Sequence, residues 1–304
     1  MSAEFAVLYS DSSDVYRNLA MEELLLTGAA REMPIVMFYT NDNAVVIGKH
    51  QNPWMECAPE VLENGMLARR ISGGGAVYHD CGNLNYSLMF RKKNYSRTDA
   101  HGVLLDALAG FGLRATVRGG TSIVVMGRKI SGNAFCHKRE TVLHHGTLLI
   151  DVDLDHMRIA LNAPALGIET NATKSVPAGV VNLRELKPEI DSRQMADAVV
   201  DAFATKYNRS PRICEISRFI DAAKLDALRR KHASFDWIYG STPKFRVMRS
   251  VKIKNGEQSV SLTMEKGCVS AVGEGVLTAE LMEKLVGQSF FAAESFCKME
   301  NNAL

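Results

Sequence analysis

A loop rich in glycine and arginine, residues 69–80, carries the residue types best suited to chemistry in this chain. Its sequence is Arg-Arg-Ile-Ser-Gly-Gly-Gly-Ala-Val-Tyr-His-Asp. Glycines can turn successive backbone N–H groups toward one point, and such a nest binds phosphate or carboxylate oxygens. Arg69 and Arg70 add forked, permanently charged donors. The loop predicts an anion site, although a flexible hairpin between strands ending near Ile71 and beginning near Leu84 fits the same residues.

A second glycine-punctuated segment, residues 127–134, carries Lys129 among apolar residues typical of a strand. Because strand side chains alternate, Lys129 points away from Ile130. An ammonium group beside the glycine loop would polarise a carbonyl or neutralise a developing charge. For an arbitrary lysine, however, a solvated position in a hairpin turn is the commoner outcome.

The histidines and the absence of certain motifs argue against a metal site and against two common phosphate-binding motifs. His144 and His145 precede a predicted strand, but no carboxylate or cysteine stands at a recognised metal-ligand spacing. We therefore expect hydrogen-bonding histidines at the mouth of a pocket, and His79 is interpreted in the same way. The sequence contains no Gly-x-x-x-x-Gly-Lys-Ser/Thr motif, and Tyr78 stands where a dinucleotide fingerprint has its third glycine.

The composition is that of an ordinary globular protein. The 304 residues are 46% hydrophobic and 23% charged, and 36 Lys and Arg against 34 Asp and Glu give a formal charge of +2. This balance gives no reason to expect nucleic acid or an anionic membrane as a partner. Six cysteines without a Cys-x-x-Cys pair favour reduced thiols, and no secretory leader or long apolar run is recognised. We expect a cytoplasmic protein, or one of a mitochondrial or other organelle matrix.

Periodicity and turn residues predict a large domain, residues 1–240, followed by a small one, residues 241–304. The large domain is predicted to contain helices at 14–30, at 99–111 and through most of 189–232, and strands at 34–40, 44–48, 83–90, 114–118, 122–126 and 145–151. The small domain is predicted to contain strands at 245–254, 258–265 and 268–274, turns at Asn255-Gly256 and Lys266-Gly267, and a helix at 278–286. Strands interleaved with helices indicate an α/β (α+β) fold in which a mixed sheet has helices on its faces.

Four segments in their order resemble the lipoate-protein ligase family, within the wider biotin and lipoate ligase group. They are Val-Val-Ile-Gly-Lys-His-Gln-Asn-Pro-Trp at 45–54, the loop at 68–85, Lys-Ile-Ser-Gly-Asn-Ala-Phe at 129–135 and His-His-Gly-Thr-Leu-Leu at 144–149, and Asn-Leu-Arg-Glu-Leu at 182–186 looks like a further shared block. The resemblance covers about residues 5–240. It implies a class II synthetase-like fold with mixed β-sheets flanked by helices, and a small C-terminal α+β accessory domain.

The resemblance also implies a reaction and its participants. Enzymes of this family activate lipoate with ATP and Mg²⁺ to lipoyl-adenylate, then pass the lipoyl group to a lysine of an acceptor domain. Implied acceptors are the glycine-cleavage H-type protein and E2 subunits of 2-oxoacid dehydrogenases, with octanoate as an alternative acyl group. We expect a monomer with no nucleic-acid or membrane partner.

Residue roles carry over by position from the resemblance. Lys129 is expected to be catalytic, bridging the phosphate and the acyl carbonyl. The adenylate or ATP would contact Arg70, Gly75, Ala76, Val77, Tyr78 and Lys129. Lipoate would contact Ser72, Gly73, Gly74, His79, Asn83, Lys129, Gly132, His145 and Thr147. An apolar tunnel for the dithiolane tail would be lined by residues such as Val46, Ala134 and Leu148, and no metal ligand is assigned.

One departure from the family pattern favours a second hypothesis. Ligases of this kind usually carry an Arg-Asn-Asp-like segment before the catalytic lysine, whereas Thr121 and Ser122 stand where Asn and Asp are expected. Hydroxyls hold Mg²⁺ less strongly than a carboxylate. The alternative is a lipoyl or octanoyl transferase that uses pre-activated or protein-bound acyl groups. A covalent version would need a nucleophile, for which Cys81 or Cys136 beside His137 could serve.

A third hypothesis is a lipoate-binding protein without turnover. A cation over the acyl carbonyl argues against it, because a pure binder has little need of one. In the family the accessory domain moves between the two half-reactions, which implies a hinge at residues 235–244; a rigid appended module is the alternative.

Overall fold

The computed structural model describes residues 3–253, 256–273 and 279–298. The strands in these ranges are β1 (Glu4–Tyr9), β2 (Ile35–Tyr39), β3 (Ala44–Ile47), β4 (Leu67–Arg69), β5 (Val77–His79), β6 (Asn83–Arg91), β7 (Ala115–Arg118), β8 (Ser122–Val125), β9 (Arg128–His137), β10 (Thr141–Leu149), β11 (Glu169–Thr170), β12 (Ser210–Ile213), β13 (Phe245–Ile253), β14 (Gly256–Glu265) and β15 (Cys268–Val272). The α-helices are α1 (Val15–Thr27), α2 (Pro59–Glu63), α3 (Arg97–Gly110), α4 (Leu154–Ala160), α5 (Leu183–Leu186), α6 (Ser192–Tyr207), α7 (Ala222–His232), α8 (Phe235–Ile238), α9 (Ala279–Leu285) and α10 (Phe290–Lys298).

An eight-stranded mixed sheet forms the centre of the large region, in the order β12-β1-β2-β6-β10-β9-β8-β7. β12, β1 and β2 pair in parallel, and the remaining neighbours pair antiparallel. Helices α3 and α6 cover one face, and α1 and α7 cover the other. This arrangement confirms the predicted mixed sheet with helices on its faces.

The central strands are apolar on both faces because both faces are covered. In β1, Phe5 and Val7 pack with α3 and α6, whereas Ala6 and Leu8 pack with α1. All five residues of β2 are buried. Burial of this kind produces continuous apolar runs, since the usual alternation with polar residues needs a solvated face.

A separate three-stranded sheet, in the order β4-β3-β5, holds the glycine loop. β3 pairs in parallel with β4 and antiparallel with β5, so the chain from 70 to 76 crosses from one side of β3 to the other. The alternative of a flexible hairpin ending near Ile71 and restarting near Leu84 is therefore wrong. The strand ending near Ile71 is β4 of the three-stranded sheet, whereas the strand beginning near Leu84 is β6 of the eight-stranded sheet, so the two strands do not pair.

The C-terminal strands form a four-stranded sheet in the order β11-β13-β14-β15. β11 comes from the large region, so this sheet includes residues on both sides of the predicted division at 240–241. Trp54, which is 1% exposed, packs against Phe290 with ring centroids 4.6 Å apart and against Phe245 at 5.3 Å. An aromatic residue of the large region thus completes the core of the C-terminal part.

Most predicted elements are present with shifted ends, and several short ones went unpredicted. The mostly helical stretch at 189–232 is interrupted by β12, an exposed strand whose Pro211 suits the edge of a sheet. The strand predicted at 145–151 begins earlier, at Thr141, because β10 pairs with all of β6. The turn at Lys266-Gly267 is confirmed, whereas Asn255 of the other predicted turn, along with residues 254, 274 and 278 at the ends of predicted elements, lies outside the described residues. Among the described residues, no helix combines the length and apolar character needed to cross a membrane.

Candidate active site

Two backbone segments touch where the end of β3 meets the glycine loop. A Cβ atom built on Gly48 would lie 2.2 Å from the carbonyl oxygen of Gly74, which shows that only glycine fits at position 48. Gly74 itself has a φ of 91°, in the left-handed region that favours glycine. The loop is therefore a fixed, closely packed structure.

Arg70 holds this loop in place from within. Its guanidinium donates to the carbonyl oxygens of Val46 at 2.9 Å, Gly73 at 2.6 Å and Gly75 at 2.8 Å, and to Ser72 Oγ at 3.0 Å. Burial lowers the pKa of Arg70 to about 10. Most of its donors are engaged with the protein, so its main contribution to an anion is positive charge and a shaped loop.

Lys129 lies at an irregularity in the pairing of β8 with β9. Ile123 pairs with Ser131 and Val124 pairs with Lys129, so Ile130 is the extra residue of a bulge. Ile130 is fully buried in the core, and Lys129 faces the opposite way, as strand alternation predicts. Its Nζ lies over Gly132, where an added Cβ would come within 3.0 Å of it. Burial and the charge of Arg70 lower the pKa of Lys129, and an anion between the two cations would relieve this repulsion.

A cavity of about 300 Å³ opens between the glycine loop and β9 and β10. Its walls include Arg70, Lys129 and His145 together with apolar side chains of Leu19, Val46, Val77 and Ala134. We call it the narrow cavity. Its mixture of apolar walls and a few convergent polar groups is typical of a ligand site.

A chain of hydrogen bonds closes the inner part of the narrow cavity. His145 Nδ1 lies 2.8 Å from Glu22 Oε1, and its Nε2 lies 2.7 Å from Ser72 Oγ. Ser87 and Tyr39 donate to the same oxygen of Glu22. Burial alone would raise the pKa of Glu22, but its interactions with His145 lower it. Glu22 therefore remains an anion although it is fully buried, and it fixes the ring of His145.

His79 supplies a free donor to the same cavity. Asn41 Nδ2 donates to His79 Nδ1 at 2.8 Å, which places the ring hydrogen on Nε2. Nε2 is buried and has no protein partner among the described residues, and His79 lines the narrow cavity. A buried N–H of this kind needs an acceptor, and a bound ligand would supply one.

A strap formed by residues 173–180 crosses the outside of the glycine loop. Ala76 N donates to Ser175 Oγ at 2.8 Å, Gln51 Nε2 donates to it at 3.1 Å, and the Ser175 hydroxyl donates to Glu56. An oxygen atom thus already accepts from the Gly75–Ala76 nest in this state. The backbone N–H of Ala76 therefore points at an oxygen acceptor, here a hydroxyl, and the anion site remains a prediction.

A second cavity of about 770 Å³, the wide cavity, lies beside the narrow one. The two cavities share wall residues Ala76, Val77, Lys129, Gly132, Thr147, Lys174, Ser175 and Val176. The wide cavity adds Tyr78, Arg158 and the apolar side chains of Leu149, Met157 and Leu161. Lys129 consequently stands at the junction of a small chamber and a larger one.

Most of the predicted site residues meet at this junction. The predicted residues that line one or both cavities are Arg70, Gly74, Gly75, Ala76, Val77, Tyr78, His79, Lys129, Gly132, His145 and Thr147. Ser72, Gly73, Asn83 and Leu148 line neither cavity. Asn83 is fully buried and donates to Asn85 Oδ1, which lies on the same face of β6, and Asn85 lines the narrow cavity. Leu148 packs in the core, and alternation along β10 directs its neighbour Thr147 to the narrow cavity instead.

Several residues of the site carry little local signal in the sequence. Tyr39 ends an apolar strand, and Ser175 reaches the nest from 99 residues further along the chain. Glu22 offers one clue, because it stands three and four residues before Leu25 and Leu26, on the apolar face of α1. A carboxylate on a face that is buried needs a partner, and here the partner is His145.

Thr121 and Ser122 both line the narrow cavity, where the family pattern has an amide and an acid. Glu56 is the one carboxylate among the residues that line the two cavities. Burial raises its pKa, and it already accepts from Ser175. Within the described ranges, no group of three or more His, Cys, Asp and Glu side chains is placed to hold a metal ion.

The cysteines proposed for a covalent transferase lie elsewhere. Cys136 is buried in the core beside α1, and burial raises the pKa of its thiol. Cys81 is exposed and lines neither cavity. Cys81 does not line the site, and the Cys136 thiol is buried away from it with a raised pKa, which disfavours the covalent mechanism.

Arg69 connects the site to the predicted hinge. Its buried guanidinium donates to the carbonyl oxygens of Ile238 at 2.8 Å and Gln51 at 2.8 Å and to Thr242 Oγ1 at 2.8 Å. Trp237 Nε1 donates back to the Arg69 carbonyl oxygen at 2.7 Å. The guanidinium is thus held by carbonyl and hydroxyl oxygens, with no carboxylate among these partners.

Acid is expected to destabilise the fold below about pH 6.5, because two buried histidines are held neutral. Burial and the charge of Arg70 lower the pKa of His79 to about 3, and burial and the neighbouring His101 lower that of His144. The unfolded chain takes up these protons near pH 6.5, so stability is full above that pH and falls toward the folded-state values. Each histidine should lower the free energy of unfolding by about 1.4 kcal/mol per pH unit. Urea unfolding at about pH 7.5 and about pH 5 measures the loss.

A matched variant separates the contribution of the histidines to the loss of stability in acid from that of the carboxylates. The pKa of Glu23 is lowered to about 2, so its contribution is lost only below its ordinary value of 4.5. In His79→Gln the loss of stability between the two pH values should shrink by about 2 kcal/mol. An unchanged pH dependence in His79→Gln would contradict the assignment.

The fold and the site together define an acyl-ligase architecture, and sequence comparison identifies the family. Residues 14–204 match the model of the lipoyl protein ligase A/B catalytic domain, and the chain belongs to this family. A lipoate-protein ligase A of Blochmanniella pennsylvanica is 32% identical over 272 residues, which cover 86% of this chain and 80% of that protein. The crystal structure of Plasmodium falciparum LipL1 in complex with lipoate has a TM-score of 0.69 and 26% identity, covering 88% of this chain and 84% of the other. A lipoate-protein ligase A bound with ATP has the same fold, with a TM-score of 0.62, 24% identity and coverages of 78% and 96%.

Proposed function

We propose that this protein is a lipoate-protein ligase, which activates lipoate with ATP and transfers the lipoyl group to a lysine of an acceptor domain. The observation that carries the proposal is the position of Lys129 at the junction of two cavities. A flexible apolar chain suits the narrow cavity, and a nucleotide suits the wide one. Family membership and the lipoate-protein ligase A relative support the same function.

The reaction proceeds in two steps, activation and transfer. A lipoate carboxylate oxygen attacks the α-phosphorus of ATP, the bond to the β-phosphate breaks, and pyrophosphate leaves. The neutral amine of the acceptor lysine then attacks the acyl carbon, the bond to the AMP oxygen breaks, and the amine loses a proton. Lys129 and Arg70 place two positive charges where carboxylate and phosphate meet, which lowers the cost of bringing two anions together.

The remaining residues act on binding and orientation. The Gly75–Ala76 nest would receive a phosphate oxygen in the position now taken by the Ser175 hydroxyl. His79 Nε2 and the Glu22–His145 pair would orient the acyl chain in the narrow cavity. Mg²⁺ would enter with the phosphates, and Glu56, Thr121 and Ser122 are among the oxygen-bearing side chains of the cavity walls that would help to hold it.

The proposed acceptors are lipoyl domains of E2 subunits and the glycine-cleavage H-type protein, with the chain acting as a monomer in the cytoplasm or an organelle matrix. These acceptors share a lysine presented on a folded domain. The exposed strap residues Lys174 and Val176 border both cavities, so the acceptor lysine would approach the junction there.

Lipoate-dependent ATP–pyrophosphate exchange is the expected result with purified protein and Mg²⁺. The Lys129→Ala variant should show no exchange above the background rate measured without protein. The forward and reverse activation steps regenerate ATP from labelled pyrophosphate only if acyl-adenylate forms. Exchange would show that Thr121 and Ser122 do not prevent activation. Lack of exchange, with transfer from supplied lipoyl-adenylate intact, would contradict the ligase.

A lipoyl transferase is the second candidate function, and Thr121 and Ser122 favour it. Their hydroxyls line the narrow cavity where the family pattern has an acid. The same exchange experiment separates the two candidates, and Ser122→Asp offers a direct check. If the missing acid limits activation, Ser122→Asp should raise the exchange rate about tenfold or more above the wild-type value.

A further inference from the structure

Four of the segments that frame the two cavities contain no acidic residue. They are residues 43–55, 64–79, 107–139 and 170–184. The whole chain has nearly balanced charges, with 36 Lys and Arg against 34 Asp and Glu. These segments are therefore locally basic, and most of the compensating acids lie elsewhere on the molecule.

Some of these cations belong to the cavities, but others do not. Lys129 and Lys174 line both cavities. Arg118, Arg128 and Lys49 are exposed and line neither of them. Binding of lipoate or a nucleotide inside the cavities therefore does not account for the positive charges of these three residues. We call Lys49, Arg118 and Arg128 the cationic rim.

Backbone hydrogen bonds fix the rim to the mouth of the site. Arg128 directly precedes Lys129, whose N donates to Gly179 O of the strap at 2.8 Å. Arg118 Nη1 donates to Gly127 O at 3.3 Å, which places its guanidinium beside the same hairpin. At the other end of the strap, Thr173 N donates to His50 O at 3.0 Å, next to Lys49. The rim therefore flanks both ends of the strap that borders the two cavities.

We propose that the cationic rim is the docking surface for an acidic face on the acceptor domain, around the lysine that receives the acyl group. The inference rests on the proposed function. Exposed charges of one sign on a domain of small net charge steer an oppositely charged partner and set its orientation. A lysine surrounded by acids is brought toward Lys129 by this field, whereas a lysine on a basic or neutral surface is not. The rim thus selects acceptors by the charge around their lysine.

The test compares charge reversal at the rim with charge reversal at a distant basic patch. Arg118→Glu/Arg128→Glu is the rim variant, and Lys93→Glu/Arg139→Glu is the matched control. The control residues line a basic surface depression with Arg31 and Arg91. β6 and β10 run from the narrow cavity to that patch, and the nine residues of β6 span about 27 Å.

Transfer from supplied lipoyl-adenylate to an isolated E2 lipoyl domain gives the readout, at about 20 mM and about 300 mM salt. The rim variant should lower kcat/KM for the lipoyl domain by about 10- to 100-fold at low salt, and the loss should shrink at high salt. The control variant should stay within about twofold of wild type. A lipoyl domain whose acids around the target lysine are changed to amides should react equally with wild type and rim variant.

The inference is overturned if the rim variant stays within about twofold of wild type, or if both double variants lose the same amount. Equal loss of lipoate affinity in the rim variant would also overturn it, since the rim would then serve the cavities. If the wild-type chain transfers no lipoyl group, the proposed function fails. The role of the rim is then tested by measuring how tightly the unmodified lipoyl domain binds the wild-type chain and the rim variant. Binding to wild type that the rim variant lacks supports the rim, and equal binding refutes it.

Discussion

Replacing Lys129 by alanine is expected to reduce lipoyl transfer by about a thousandfold while leaving the fold intact. Lys129 is a half-buried cation that lines both cavities, whereas Lys174 is exposed and Arg70 is engaged with the loop. Both half-reactions bring negative charge to this junction, first on the phosphates and then on the acyl oxygen. Removal of a preorganised charge from such a site acts on the transition state, so kcat should fall far more than lipoate affinity.

Lys138→Ala is the matched control, because Lys138 directly follows the other end of the same strand. It should transfer at the wild-type rate. The Lys129→Arg variant keeps the charge but changes its shape, and it should recover only part of the activity. Single-turnover transfer from lipoyl-adenylate measures all three variants, and a Lys129→Ala rate within about tenfold of wild type would refute the proposed role.

Gly48→Ala is expected to destabilise the protein by about 3 kcal/mol and to weaken lipoate binding at the same time. The added Cβ would lie 2.2 Å from the Gly74 carbonyl oxygen and 3.1 Å from the Gly73 carbonyl carbon. Both are backbone atoms, so relief requires β3 or the glycine loop to move. Moving the loop would disturb the hydrogen bonds through which Arg70 shapes the narrow cavity. Urea unfolding and lipoate titration measure the two effects.

Gly73→Ala provides the control for stability in the same loop. A Cβ at Gly73 would meet no atom within 4 Å, and its φ is not in the left-handed region. Its free energy of unfolding should therefore stay within about 0.5 kcal/mol of wild type. Similar destabilisation by the two substitutions would show that the close approach of β3 is not responsible.

The parts of the fold that the sequence predicted are those with a strong local pattern. Buried strands such as β2 and β6 are recognised as apolar runs, and the helix α1 is recognised from its helical periodicity. Strands such as β4, β5 and β12 have three or four residues, too few to establish a period, and their pairing with distant segments decides their conformation. The C-terminal sheet includes β11, two residues that no local pattern marks.

The residues of the site also divide into those that the sequence predicted and those that only the fold brings together. The glycine loop and Lys129 could be recognised from the sequence as site residues, because clustered glycines and arginines, and an isolated lysine in an apolar strand, are chemically unusual in their surroundings. Glu22 and Ser175 belong to a helix and a loop of ordinary composition, and only the fold brings Glu22 to His145 and Ser175 to Ala76. Asn83 and Asn85 lie on the same face of β6, and Asn85 rather than the predicted Asn83 lines the narrow cavity because it stands further along the strand, opposite Thr147 of β10.

The arrangement around Arg69 has a thermodynamic consequence. One guanidinium joins the carbonyl oxygens of Gly48, Lys49 and Gln51, beside the glycine loop, to Ile238 and Thr242, where the chain leaves for the C-terminal sheet. A ligand that changes the conformation of residues 48–51 must therefore change the free energy of holding Ile238 and Thr242 in place. By reciprocity, an accessory domain that shifts away from this contact alters ligand affinity by the same factor. For such a ligand, the attachment of the C-terminal part depends on the ligand's concentration.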